Sequence, residues 1–462
     1  MEENNEKNTV KDIIQVDNEL LDNISDLIEE RSSENILSIF RDLHSADIAE
    51  IINHLKYDEA DYSFSLLDTE TASEVILELD ENLRERILKN IDRAKITDII
   101  DELDTDDATD IVSDLPEDVA EHVLENIDKE DSDELKELLK YAEDSAGGIM
   151  NSDYVFVHDT ATVKDAIEVV RLNAEEFEHI YYIYVLDSSD VLKGVISLKS
   201  LLVHPLDTIV TSVMEEDLIY VKPEDDQEEV ANIIEKYDLV SVPVVDDLKR
   251  MLGRITIDDV VDVIHEEASE DIQKIAGLSD EQETSDSIFR ISRIRLPWLM
   301  IGLLGEMGSA FVLSSFQASI QKIVIASFFI PVVMAMGGAS GTQAAIVMVR
   351  GISTGDIWMN RIFGTLSKEF GVALLNGLAC ATVLLGITHF LFHSELVFSF
   401  ILSGALIVIM IFATMLGSII PLVLKKINID PAVATGPFVS TTNDIFGLVI
   451  YLTLITMFFA AQ

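Results

Sequence analysis

The stretch Asp430-Pro-Ala-Val-Ala-Thr-Gly-Pro-Phe-Val-Ser-Thr-Thr-Asn-Asp444 ends on a carboxylate, and Ile445 to Phe459 after it carries no charge. At about 1.5 Å per residue, a helix from Pro437 to Phe459 is long enough to cross a hydrocarbon core of roughly 30 Å with Asp444 inside it. A carboxylate at that depth costs at least about 2.5 kcal/mol, so Asp444 marks either a polar pathway or a buried partner. Thr435, Ser440, Thr441, Thr442 and Asn443 supply hydroxyls and an amide beside it. Glu306, between Gly305 and Gly308, is the other acid in an apolar run, and its small neighbours suit helix packing as well as they suit a pathway. Catalytic chemistry has no counterpart here. No nucleophile stands with a base, no phosphate-binding Gly loop occurs, and the nine His are scattered, so an enzyme is not expected.

Five apolar runs, at about 296–316, 320–338, 364–392, 396–424 and 437–460, are long enough to span a membrane. Basic residues alternate with each crossing. Arg290, Arg293 and Arg295 precede the first run, Lys322 alone follows it, Arg350, Arg361 and Lys368 follow the second, and Lys425 and Lys426 follow the fourth. This pattern places the N-terminus in the cytosol and the C-terminus outside a multi-pass protein of the cell membrane. Pro331, Gly337, Gly338 and Gly341 are expected to break the end of the second span, and an odd span number suits a pore formed between two subunits.

The charge is unevenly spread. The chain of 462 residues carries a net −52, yet nine of its 32 Lys/Arg and only six of its 84 Asp/Glu lie from Arg290 onward, leaving −55 on the first 289 residues. Such a field repels nucleic acid and anionic lipid and attracts cations, while solubility or adaptation to salt is the blander explanation. Cys380 stands alone in an apolar run, which excludes a disulfide framework or a cysteine-built metal site. Met1 to Asn8 has no apolar core of a secretory signal.

Two repeats organise the acidic part. Leu43, Leu55, Leu67, Leu79, Ile91, Leu103, Leu115, Ile127 and Leu139 fall 12 residues apart, often followed by an Asp suited to cap a helix. Short helix-turn units stacked into a superhelical solenoid are expected, since no unit could bury its apolar face alone. After Ser145-Ala-Gly-Gly-Ile-Met150 the texture changes to strand and helix. Asp187 and Gly194 recur 59 residues later as Asp246 and Gly253, and each copy reads as a helix, two strands with a tight Gly turn, and a closing helix. The pair resembles tandem cystathionine-β-synthase (CBS) domains, most closely in Pro243-Val-Val-Asp246 and Gly253-Arg-Ile-Thr-Ile-Asp-Asp259. That resemblance implies adenine nucleotide binding, ATP included, through Thr256 and Asp259. The first copy has Ser197 and Ser200 at these positions.

From Val260 to Leu278, acids line one face of a helix that leads to the membrane, as a solvated face or as a coupling element. The whole order resembles the magnesium transporter E (MgtE) family, with Arg295-Leu-Pro-Trp-Leu299, Pro331 through Gln343, Arg350-Gly351 and Asp430-Pro-Ala-Val-Ala-Thr-Gly-Pro437 carrying the likeness. The resemblance implies an acidic α-helical superhelical N-domain (1–140), α/β paired CBS domains (141–268), a connecting plug helix (269–290) and an α-helical membrane domain with five transmembrane helices (291–462). It implies a homodimeric Mg²⁺ channel closed by cytosolic Mg²⁺, with Asp444, Gly436 and Ser440 at the pore ion. Regulatory Mg²⁺ would be held by Glu228, Asp238, Asp259, Asp262, Glu267, Glu270 and Asp271. Ala339 departs from the family's usual Asn after the Gly pair. An ion-coupled divalent-cation (Mg²⁺ or Co²⁺) exchanger, with Glu306 or Asp444 carrying protons or sodium, is the alternative. A membrane-tethered nucleotide or ion sensor without transport is a third reading.

Overall fold

The computed structural model describes residues 16–174, 177, 179–278, 287–354, 357, 362–427, 429–434 and 436–459. Thr435 and the middle of the expected connecting segment, 279–286, lie outside them. The chain divides into two compact units, Met1–Ile264 and His265–Gln462.

The first unit begins with ten short helices: α1 (Asn18–Glu29), α2 (Ser33–Phe40), α3 (Ser45–His54), α4 (Tyr57–Ser65), α5 (Thr69–Leu77), α6 (Glu81–Asn90), α7 (Arg93–Asp101), α8 (Thr105–Asp114), α9 (Glu117–Asn126) and α10 (Lys129–Leu138). All nine positions of the 12-residue series enter one apolar core. The Asp that follows occupies the N-cap position: Asp68 and Asp92 accept backbone N–H bonds from Thr71 and Ala94. At Leu55, Ile91, Leu115 and Ile127 the backbone is extended, so the chain turns there and the apolar side chain still reaches the core. Helices stack on their next-but-one neighbour, α3 on α5, α5 on α7 and α7 on α9, which makes the expected solenoid with two helices per turn.

Two α/β copies follow. In the first, β1 (Phe156–His158) runs parallel to β2 (Tyr182–Leu186), which pairs antiparallel with β3 (Leu192–Ser197); α11 (Val163–Leu172) and α12 (Leu198–Val203) flank them. In the second, α13 (Gln227–Tyr237) precedes β4 (Ser241–Val245), antiparallel to β5 (Met251–Thr256). The repeat is exact in register, since Val185 faces Gly194 as Val244 faces Gly253. The glycines are not the turns that the sequence led us to expect. Asp190 and Lys249 take the positive φ of the two turns, at 60° and 62°. Gly194 and Gly253 lie inside strands, where a Cβ would sit 2.8 Å from the Glu215 carbonyl and 2.5 Å from that of Asn151.

Helix α14 (Ile257–Ala276) starts directly at the end of β5, twelve residues before the expected connecting helix, and stops at Gly277, whose φ of 82° suits glycine. The second unit then contains five helices long and apolar enough to cross a membrane, spanning Ile288–Ser315, Val324–Ser353, Ile362–Leu391, Leu396–Lys426 and Phe438–Met457. The first is α15 (Ile288–Ser315); the short α16 (Gln317–Lys322) leads to the second, made of α17 (Val324–Ser327) and α18 (Ile330–Ser353); α19 (Ile362–Gly386), α20 (Leu396–Lys426) and α21 (Pro437–Phe459) supply the other three. The expected break at Gly337, Gly338 and Gly341 does not occur, because α18 runs through all three and Pro331 sits in its first turn, where no N–H is needed. Gly337 and Gly341 serve close packing instead, while a Cβ on Gly338 would meet open space. A Cβ on Gly417 of α20 would lie 2.2 Å from the Gly341 carbonyl of α18.

Candidate ion pathway and cation-sensing acids

Helices α15 and α21 run parallel, side by side. Trp298 meets Phe438 edge-on at 6.1 Å, and Cβ atoms on Gly305 and Gly308 would strike Thr441 and Ile445 at 2.1 and 2.9 Å. Only glycine lets the two backbones come this close. Asp444, one turn along from Thr441, is half-buried, and its carboxyl lies within hydrogen-bonding reach of that of Glu306. Ser440 donates its hydroxyl to the Gly436 carbonyl at 3.3 Å, so two of the three expected pore residues are joined at the entry turn of α21. Asn443 is buried against Gly341, and among the described residues neither of its amide atoms has a hydrogen-bond partner. Ala339 is exposed on α18, while its neighbour Ser340 shares a 2.6 Å hydrogen bond with Thr414 of α20.

The end of α14 lies against this entry turn. The Ile275 carbonyl and Gly277 are 3.2 and 3.3 Å from where a Cβ of Gly436 would be. Lys274 bridges Glu270 at 2.5 Å and Asp430 at 2.6 Å. Burial works against its ammonium, but the bonds to Asp430 and Glu270 outweigh it and hold the group above the usual lysine range. Asp430 also accepts the Ala432 N–H, fixing the 3-10 turn Pro431–Ala434. Burial first, and the Asp430 charge second, push the Asp271 carboxyl up; it hydrogen-bonds Ser353 at the end of α18. Glu267 is half-buried one turn before Asp271.

A third group of acids lies inside the first unit, where α8 meets the segment before β1 and the start of α14. Asp106 is buried and accepts the Asn151 amide at 3.3 Å; Thr105 donates to Asn151 and receives the Ser152 N–H at 2.9 Å. Burial, then the charge of Asp259, pushes Asp106 well above the usual carboxylate range and Asp107 up to about 7. Burial likewise pushes Asp259 up to about 6, against hydrogen bonds from the Thr256 hydroxyl at 2.7 Å and N–H at 3.2 Å. Thr256 and Asp259, expected to contact nucleotide, thus cap the start of α14. Ser197 and Ser200 make the weaker equivalent, with Ser200 N–H donating to Ser197 at 3.3 Å.

The other expected ligands are spread out. Asp262 is exposed on α14, Glu228 is half-buried in the first turn of α13, and Asp238 is exposed in left-handed backbone at that helix's end. Among the described residues no three His, Cys, Asp or Glu side chains converge as a ready metal site. Asp106 and Asp107 were missed in the sequence. The one signal was local: Thr105, Ala108, Thr109 and Val112 form a small-residue stripe at helical spacing, which lets another element approach the acids beside it.

Comparison with known proteins agrees with this layout. Residues 43–144 match the MgtE intracellular N domain, 146–207 and 210–266 match CBS domains, and 330–454 match the MgtE divalent cation transporter family. The chain is 32% identical to a magnesium transporter MgtE of Bacillus subtilis (strain 168), over 95% of this chain and 97% of that one. It is 35% identical to a magnesium transporter MgtE of Thermus thermophilus, over 70% and 71%. The crystal structure of the cytosolic domain of the Mg²⁺ channel MgtE in complex with ATP superposes with a TM-score of 0.50 at 32% identity, covering 53% of this chain and all of that one. With both repeats, the membrane helices and their order matched along nearly its whole length, the chain belongs to the MgtE family of magnesium transporters, a family of membrane transporters rather than enzymes.

Proposed function

We propose that this protein carries Mg²⁺ across the cell membrane through a pathway lined by Asp444, Gly436 and Ser440, and that cytosolic Mg²⁺ closes it. The observation that carries the reading is Asp444, a carboxylate within a span and next to an entry turn on which the end of α14 rests. Mg²⁺ gives up its waters reluctantly, so carboxylates and carbonyls would contact it through them. Two such chains would form the pore, with the N-terminus in the cytosol and the C-terminus outside.

Closure follows from the same electrostatics. Without Mg²⁺, Asp106, Asp107 and Asp259 repel one another. A divalent cation between like charges reverses the sign of the interaction, compacts the acidic unit and draws α14 to the pore. Asp262, Glu267, Glu270 and Asp271 on α14, with Glu228 and Asp238, are the further candidate ligands. ATP at the CBS pair would bind beside Thr256 and Asp259, as the complex of the related cytosolic domain suggests. The test is Mg²⁺ uptake into liposomes holding the full-length protein, with and without Na⁺ and proton gradients. Uptake should run down the Mg²⁺ gradient alone and vanish in Asp444→Ala; intact uptake in that variant would remove Asp444 from the pathway, and dependence on a second gradient would favour an exchanger.

A further inference from the structure

Glu306 has no place in the pathway just described. We propose that it is a second carboxylate of the ion pathway, paired with Asp444 of the same chain, so that the passing cation meets two carboxyl groups from each chain. This rests on the assignment of Asp444 to the pathway and goes one residue further.

Three observations carry it. First, Glu306 is held in place by backbone packing. It lies between Gly305 and Gly308, whose missing side chains admit Thr441 and Ile445, and Trp298 on Phe438 fixes the same two helices further down. Second, its carboxyl reaches that of Asp444 directly, across the α15–α21 seam. Third, Glu306 is exposed within this chain although it lies well inside the span Ile288–Ser315, while Asp444 is half-buried. A carboxyl left facing acyl chains at that depth is strongly disfavoured, so its open side faces water. The close approach of the two helices, the role left open from the sequence, rests on the glycines on either side of Glu306.

The consequence is quantitative. A hydrated Mg²⁺ held through its waters is bound mainly by charge, and the number of carboxylates sets how strongly. Removing the charge of Glu306 while keeping its shape should therefore weaken occupancy of the pathway more than it slows passage.

The experiment is uptake of Mg²⁺ into liposomes containing the full-length protein, followed with an internal Mg²⁺ indicator over a range of external Mg²⁺. Glu306→Gln should raise the half-saturating concentration about tenfold, with the maximal rate within about twofold of the unaltered protein. Glu306→Asp, which keeps the charge, should stay within about twofold of the original half-saturation. An unchanged half-saturation in Glu306→Gln overturns the proposal. So does an equal shift in Glu306→Asp, which would show that size rather than charge matters there. Asp444→Ala separates the two levels. Loss of uptake in that variant with normal behaviour of Glu306→Gln sinks only the role of Glu306, whereas surviving uptake sinks the pathway on which it rests.

Discussion

Two groups of acids differ in the cation that stands beside them. Asp106, Asp107 and Asp259 crowd together where α8 meets the start of α14, and two of them are pushed up to about 7 and 6. The nearby Arg254 hydrogen-bonds the His179 carbonyl at 3.2 Å and lies over Phe177, and its charge offsets only part of the burial at Asp259. At the other end of α14, the charges of Asp430 and Glu270 act on Asp271, but Lys274 stands between Glu270 and Asp430. Like charges without a counter-ion raise the energy of the compact state until a proton or a metal ion arrives. Charges with a lysine already in place have less to gain. Under the proposed gating, the first cluster would sense a cation and the second would hold a contact.

The sharpest way to break this contrast is to neutralise the first cluster. Asp106→Asn with Asp107→Asn keeps the Asn151 hydrogen bond, because the amide oxygen still accepts it, and removes the repulsion. In the unaltered full-length protein, Mg²⁺ at 100 times its dissociation constant should slow amide exchange in α8 and around Asn151 by on the order of 100-fold. The double variant should be protected already without Mg²⁺ and gain almost nothing from it. Equal Mg²⁺ protection in both proteins would place the sensor elsewhere.

Why this cluster escaped the sequence is a matter of distance along the chain. The solenoid was legible because each unit repeats its own signals, a core Leu or Ile and a capping Asp, within 12 residues. The CBS pair was legible because Val185–Gly194 and Val244–Gly253 repeat the same local pairing. Asp106 and Asp259 come from different repeats, and only tertiary packing brings them together. The same holds for Lys274 and Asp430. Asp444 could be singled out because a carboxylate in an apolar span needs no partner to be conspicuous, but the contact with Glu306 could not be foreseen. The glycines of α18 misled for a related reason: in isolation Gly337-Gly338 reads as a helix breaker, and only the approach of α20 shows packing to be the role of Gly337 and Gly341.

Lys274→Gln tests the second cluster. It leaves Glu270 and Asp430 facing each other half-buried, which should cost about 1–2 kcal/mol, between the values for exposed and for fully buried pairs. Thermal unfolding of the full-length protein in Mg²⁺-free buffer would show it, and added Mg²⁺ should now restore part of the loss. The pH response distinguishes the clusters again. The carboxyls of Asp107 and Asp259 have higher pKa values folded than unfolded, so their contribution to stability is fully present below the ordinary Asp pKa of about 4 and is lost as pH rises through 6 to 7. Between pH 6 and pH 8 without Mg²⁺, the protection of α8 amides, corrected for the intrinsic rise of exchange with pH, should fall by up to about tenfold, and Asp107→Asn should flatten that change.

The smallest effect is expected at an ion pair with nearly the same length as those of Lys274. Lys222 meets Asp247 at 2.6 Å, but Asp247 is 88% exposed and Lys222 47%. Water already satisfies both groups, and the long lysine side chain loses freedom by staying in place, so Lys222→Gln should leave the thermal unfolding midpoint nearly unchanged. Lys274 is only 21% exposed and serves two acids rather than one. If the two lysine variants lost equal stability, distance alone would govern these pairs. A much larger loss at Lys274 would show that burial and a second carboxylate turn an ordinary ion pair into the fastening of α14 on the entry turn.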